Sequence, residues 1–181
     1  MNLRTLLVVT AALGFARVTA AQNLIPFNSG FELGSPAGWY MWIDEKSTGN
    51  ASFETVDKDA HSGVYALKFD VKRAAGYPWQ IALTIPQWSA NPATRYRLSF
   101  WAKGPGALKV NISDVDKNYA WMGSIEGSAS PTQWSRISGE FSTTTQSGKG
   151  KVSLAIGIGQ NVGTYTFDDF ELVEVDAAGS K

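Results

Sequence analysis

The 181-residue chain has no cysteine and a single histidine, His61. The first absence excludes a disulfide framework, a thiolate metal centre and a cysteine nucleophile, and the second excludes a multi-histidine metal cluster. An excess of one charge is also missing. Sixteen Lys and Arg offset sixteen Asp and Glu, and charged residues make up only 18% of the chain, so no global field draws in nucleic acid or anionic lipid. Long apolar runs are absent apart from one. Arg4 precedes Leu6 to Phe15, and Val18-Thr19-Ala20-Ala21 closes the run with small residues. It is too short to span a bilayer and reads as a secretory signal peptide over residues 1–21. The expectation is a secreted protein, extracellular or periplasmic, cleaved after Ala20 or Ala21, with 14 basic against 16 acidic side chains remaining. What the chain has in quantity is seven Trp, six Tyr, nine Phe and eighteen Gly.

The dominant period is two. Leu67, Phe69 and Val71 alternate with Lys68, Asp70 and Lys72, and Leu108, Val110 and Ile112 alternate with Lys109, Asn111 and Ser113, as half-buried strands require. Further strands are predicted over 51–56, 79–85, 96–101, 137–141, 152–158 and 165–172. Gly/Pro/Ser/Asp clusters separate them at 34–36, 59–63, 104–106, 127–131 and 147–150. No window outside residues 1–21 carries a helical apolar stripe. The pattern predicts an all-β, two-sheet antiparallel sandwich over residues 22–176, followed by a short tail at 177–181.

Several short motifs then fall in a telling order. Asn23-Leu24-Ile25-Pro26, Asn28-Ser29-Gly30-Phe31-Glu32, Gly38-Trp39 and His61-Ser62-Gly63-Val64-Tyr65-Ala66-Leu67 open the chain. Tyr96-Arg97-Leu98-Ser99-Phe100-Trp101-Ala102-Lys103, Gln133-Trp134 and Thr166-Phe167-Asp168-Asp169-Phe170-Glu171-Leu172 follow. In order and spacing the chain resembles the carbohydrate-binding modules of families 4, 9, 16 and 22, from about Asn23 to Val175. Phe27 departs from the pattern as an insertion, and Gly30 stands where an acidic residue is frequent. The resemblance implies a jelly-roll sandwich that binds plant or microbial β-glycans such as cellulose, β-glucan, xylan or mannan without cleaving them. It also implies a structural calcium ion in many members, and related modules are carried by glycoside hydrolases.

The composition suits such a ligand. A neutral polysaccharide is gripped by stacking aromatic rings on C–H faces and aiming amides at hydroxyls, with no net charge needed. Trp42 and Trp39 have opposite parity, so in a regular strand at least one points away from the core. The resemblance makes Trp39 the family's recurrent early aromatic, core or platform, and leaves Trp42 as the better platform. In 79–85, Ile81, Leu83 and Ile85 form the core set, which turns Gln80 to the open face as a hydroxyl reader. Trp79 sits at the mouth of that strand after Gly76-Tyr77-Pro78, where a bend would present it to a cleft. Trp121 lies in a glycine-flanked segment with little core pattern. The small residues Ala155, Gly157 and Gly159 leave room beside Gln160 and Asn161. The ligand-binding candidates are therefore Trp39, Trp42, Trp79, Gln80, Trp121 and Gln160.

If the first and last strands are neighbours, as the resemblance implies, Glu32 meets Asp168-Asp169. Hard oxygen donors of this kind suit calcium, with backbone around Gly30 and the carboxylate of Asp59 completing the shell. A glycosidase would need two carboxylates facing across a cleft. The mid-chain glutamates Glu54, Glu126 and Glu140 stand in no catalytic sequence context. Copper polysaccharide oxygenation needs a histidine at the mature N-terminus, where Ala21 or Gln22 stands, and no Gly-x-Ser-x-Gly elbow is present. A secreted adhesive sandwich that turns its aromatics toward another protein is the remaining alternative.

Overall fold

The computed structural model describes residues 22–143 and 150–175. The signal-peptide and C-terminal tail readings lie outside these residues. Ten strands run in chain order: β1 Tyr40–Ile43, β2 Asn50–Val56, β3 Ala66–Arg73, β4 Ile81–Ala90, β5 Arg95–Lys103, β6 Gly106–Asp114, β7 Ala120–Ala129, β8 Ser135–Ser142, β9 Gly150–Gly157 and β10 Gly163–Glu174. They pair antiparallel in two five-stranded sheets, β1-β4-β9-β6-β7 and β2-β3-β10-β5-β8. Two 3-10 turns, Pro78–Gln80 and Val115–Lys117, interrupt the connections. The all-β, two-sheet sandwich expected from the alternation is the observed fold.

The period of two explains which face each residue takes. Leu83, Ile156, Val110 and Ile125 are register partners across the first sheet, and all four are buried between the sheets. One step along each strand, Tyr40, Thr84, Ala155, Asn111 and Ser124 form a row on the opposite, solvent face. The next such row is Trp42, Ala82, Gly157, Lys109 and Glu126.

At the β7 and β8 edge the sheets approach through glycines. A Cβ on Gly127 would lie 2.7 Å from Ile137, and one on Gly139 would lie 2.7 Å from Ile125. The turn expected over 127–131 starts later, because β7, a strand the alternation does not announce, runs on to Ala129. In the structure Gly127 pairs with Leu108 inside the strand. An edge strand in which Ala, Gly and Ser supply six of ten residues shows little apolar alternation, and its neighbour supplies the hydrogen bonds while a facing isoleucine fills the glycine gap.

The chain ends meet as the resemblance implied. Leu24 N donates to Leu172 O at 2.7 Å, and the Asn23 amide donates to Phe170 O at 2.8 Å while its oxygen accepts from Leu172 N at 3.0 Å. Beneath them Phe31, Trp39, Phe100 and Phe170 pack ring against ring, with Trp39 4.6 Å from Phe170 and Phe100 4.8 Å from it, centroid to centroid.

Candidate functional site

Large apolar side chains left exposed deserve an explanation only when they cluster. Here three rings cluster on one edge of the first sheet, and three more stand exposed along its two edges. Tyr40 and Trp42 stand on edge strand β1, Trp79 on the 3-10 turn that leads into β4 with Tyr77 just before it, and Trp121 near the start of the opposite edge strand, β7, with Tyr119 just before that. Trp121 is 71% exposed, Tyr77 61%, and Trp42 and Trp79 46% each. Trp42 and Trp79 stack at 5.9 Å with 27° between planes, and Tyr77 continues the row at 6.1 Å and 13° from Trp79. Between the two edges the floor is low and polar: Thr84, Ala155, Asn111 and Ser124 in one row, and Ser153 and Ser113 running to Trp121 in another. Four inter-strand steps make that floor about 19 Å wide.

Glycines set the height of the Tyr77–Trp79 wall. A Cβ on Gly157 would lie 3.1 Å from Pro78 C and O, and one on Gly159 would lie 2.9 Å from Tyr77 O. The turn therefore rests directly on the end of β9. Its backbone is bonded there, with Gly159 N donating to Pro78 O and Ile158 N to Ile81 O, both at 2.9 Å. The turn takes part of the room foreseen beside Gly157 and Gly159, while next to Gln160 and Asn161 a pocket lined by Pro78 and Gly157 stays open. At the other edge, Asn118 and Tyr119 both take left-handed backbone, φ 53° and 59°, which is uncommon for a bulky residue and reverses the chain sharply into β7.

The predicted residues divide accordingly. Trp42 and Trp79 are brought together, and Trp121 stands on the far edge strand in the Ser113 row, two outward rows along from that of Trp42. Trp39 is not part of the surface. It is 3% exposed and its indole N–H donates to Asn28 O at 3.0 Å, so neither ring face can meet a ligand. Gln80 is not on a strand face but ends the 3-10 turn. Its amide donates to Asp44 Oδ2 at 2.8 Å and its oxygen accepts from Tyr77 N at 3.0 Å. The first of these bonds, with that from Lys46 N, holds the Asp44 carboxyl below its usual range. Gln80 therefore positions Tyr77 and Trp79. Gln160 is exposed and lines a pocket of about 260 Å³ beside Pro78. Sequence reasoning missed Tyr40, Tyr77 and Tyr119; the Gly76-Tyr77-Pro78 turn was the available signal for one of them.

Glu32, Gly30 and Asp168 also meet. Glu32 accepts from Val64 N and Tyr65 N at 3.1 Å. Asp168 is fully buried and accepts from His61 N at 2.9 Å, Ser62 N at 3.2 Å and Asp169 N at 2.8 Å. A Cβ on Gly30 would stand 3.6 Å from Asp169 Oδ1 and 3.9 Å from Asp168 Oδ1. Burial raises the Asp168 carboxyl to about 6; the N–H donors of Ser62, Asp169 and His61 oppose this, and the charge of Asp169 adds to it. Among the described residues no Lys or Arg pairs with Asp168. A buried, hard carboxylate of this kind fits a calcium ion in chemistry. Asp59 does not join it: its exposed carboxylate pairs with Lys103. Among the described residues no three His, Cys, Asp or Glu side chains converge as a metal cluster. Asp169 is occupied by His61 Nδ1 and Ser62 Oγ, both at 2.6 Å, and the His61 ring stacks on Trp101 at 4.0 Å. That makes His61 a turn residue tied to the second sheet.

A family model described as a carbohydrate binding domain matches residues 23–163. The chain belongs to that carbohydrate-binding family. A comparison with curated proteins gave no match. Among solved structures the module resembles a family 4 carbohydrate-binding module at 15% identity and TM-score 0.66, over 82% of this chain and 99% of that one. It also resembles a family 61 module solved with β-1,4-galactotriose, at 22% identity and TM-score 0.59, over 86% and 100%. A third relative in fold is the xylan-binding domain CBM22-1 of Paenibacillus barcinonensis Xyn10C, at 16% identity and TM-score 0.59, over 83% and 94%.

Proposed function

We propose that this carbohydrate-binding module is non-catalytic and holds one β-linked, neutral polysaccharide chain across the open face of the first sheet. The observation that carries the reading is the placement of the exposed aromatics. Trp42, Trp79 and Tyr77 wall one edge, Trp121 walls the other, and small hydroxyl and amide side chains floor the space between. Rings stack on sugar C–H faces at the two ends while Thr84, Asn111 and Ser124 meet hydroxyls. At about 25 cal/mol/Å², partial cover of a few rings supplies enough for micromolar binding, about −8 kcal/mol, after ordering costs. Cellulose, mixed β-glucan, xylan and mannan fit this chemistry; the family 61 module solved with β-1,4-galactotriose and the xylan-binding domain take ligands of the same class. The mid-chain glutamates support the absence of catalysis. Glu54 pairs with Lys68, Glu140 with Arg95 and Glu126 with Lys109, and the first two stand in the other sheet from Glu126.

The same reading includes export, a structural calcium held by Glu32 and Asp168 with backbone near Gly30, and a place beside a glycoside hydrolase acting on the bound polymer. The ion would supply a countercharge for Asp168 and tie the 61–65 turn to the chain ends. Affinity gel electrophoresis over soluble β-glycans tests the binding. At least one glycan should retard the protein, and Trp42→Ala together with Trp121→Ala should release it. Mobility unchanged by every glycan overturns the reading.

A further inference from the structure

Beside the platform lies a pocket of about 260 Å³ lined by Pro78, Lys109, Glu126, Gln160, Asn161 and Tyr165 among others. It has room for one sugar ring. Its position is lateral. Gly157, Lys109 and Glu126 belong to the cross-sheet row that starts at Trp42, and Pro78 directly precedes Trp79. A chain lying along the neighbouring row from Tyr40 to Ser124 would pass the pocket's mouth sideways.

The Tyr165 ring is fully buried in the pocket wall, its hydroxyl sealed from solvent beside Asn161; the groups a ligand can reach stand at the rim. At the rim the Gln160 and Asn161 amides offer donors and acceptors, and the Lys109–Glu126 pair, at 3.0 Å, offers charged ones.

We infer that this pocket is a side subsite for a single-sugar branch of the polysaccharide held on the aromatic platform. The ligand class thereby narrows to decorated β-linked backbones. The inference rests on the glycan-binding reading above and deepens it.

The test is calorimetric titration with linear and singly branched oligosaccharides on two backbones: mannan with and without galactose, and xylan with and without arabinose. The wild type should bind the branched form of its preferred backbone about fivefold more tightly, as one added hydrogen bond of about 1 kcal/mol provides. Ala107→Phe fills the pocket from an exposed strand position, and Asn161→Ala removes a rim amide. Both should abolish the preference and leave linear affinity unchanged, with melting curves confirming the fold. Equal affinity for linear and branched forms, weaker binding of the branched forms, or a preference that survives both substitutions overturns the side subsite. If the folded wild type binds neither linear nor branched forms of either backbone, the failure belongs to the glycan-binding reading itself, and the side subsite falls with it.

Discussion

An indole stabilises either the core or a ligand contact, and burial decides which. Trp39, closed in by Phe31 and Phe170, should cost about 3–5 kcal/mol of stability when truncated to alanine. Trp121→Ala should leave the melting midpoint within a degree or two yet weaken glycan binding by more than about 1 kcal/mol. Parallel thermal melts and titrations of the two variants check this, and a Trp121→Ala protein that unfolds would move Trp121 from platform to scaffold. Asp168 carries a different signature. Its carboxyl is raised by burial to about 6 from 3.8, so the folded chain prefers the protonated form. The stabilisation is fully present below about pH 3.8 and is lost as pH rises through about 6, up to about 3 kcal/mol from this group. Melts in chelator should therefore show Asp168 adding stability on going from pH 7.5 toward 4.5, an increment that Asp168→Asn removes.

Among the elements, the 3-10 turn Pro78–Gln80 matters most to the platform, because two of its aromatics ride on it and on the residue before it. It is seated on Gly157 and Gly159 and tied by Gln80 to Asp44 and Tyr77. In Gly159→Ala the new Cβ would meet Tyr77 O at 2.9 Å and Ile81 N at 3.0 Å, both backbone atoms that cannot rotate away. The turn must lift, at about 1–3 kcal/mol, and glycan affinity should fall together with stability. Gln80→Ala should loosen the turn and shift the Trp42–Trp79 fluorescence before any ligand is added. A hydroxyl-reading Gln80 would instead change affinity with the unliganded spectrum intact.

For the whole molecule, the meeting of the chain ends with the 61–65 turn is the feature calcium would reinforce. At a hundredfold excess over its dissociation constant, an ion bound only by the folded chain stabilises by about 2.7 kcal/mol. For a domain of this length that is a midpoint rise of about 5 to 10 °C, reversed by chelator and shrinking below pH 6 as protons compete for Asp168. Differential scanning calorimetry with and without calcium checks it. A melt indifferent to the ion leaves Glu32 and Asp168 as acceptors for turn amides. Glycan affinity should persist in chelator at low temperature, because Trp42, Trp79 and Trp121 lie on the other sheet from Asp168.

The period-two alternation of residues such as Leu67-Lys68-Phe69-Asp70 determined by itself that the chain is a sandwich, because strand geometry sends neighbouring side chains to opposite faces whatever lies beyond them. Aromatic abundance without net charge likewise pointed to a neutral, ring-stacked ligand. Only the tertiary structure decided which rings serve it. Trp39 and Trp42 are three residues apart, and what sends one into the core and leaves the other on the surface is the cover over Trp39: Phe31 from just upstream and Phe170 from the far end of the sandwich. The β7 strand escaped notice for the same reason, since its pairing and its glycine gaps are filled by β6 and Ile137. Trp121 reaches the far edge of the floor, 79 positions along the chain from Trp42, because the strand order β1-β4-β9-β6-β7 puts the two on opposite edges of one sheet. Local propensity carries no information about that order, which follows from long-range strand pairing.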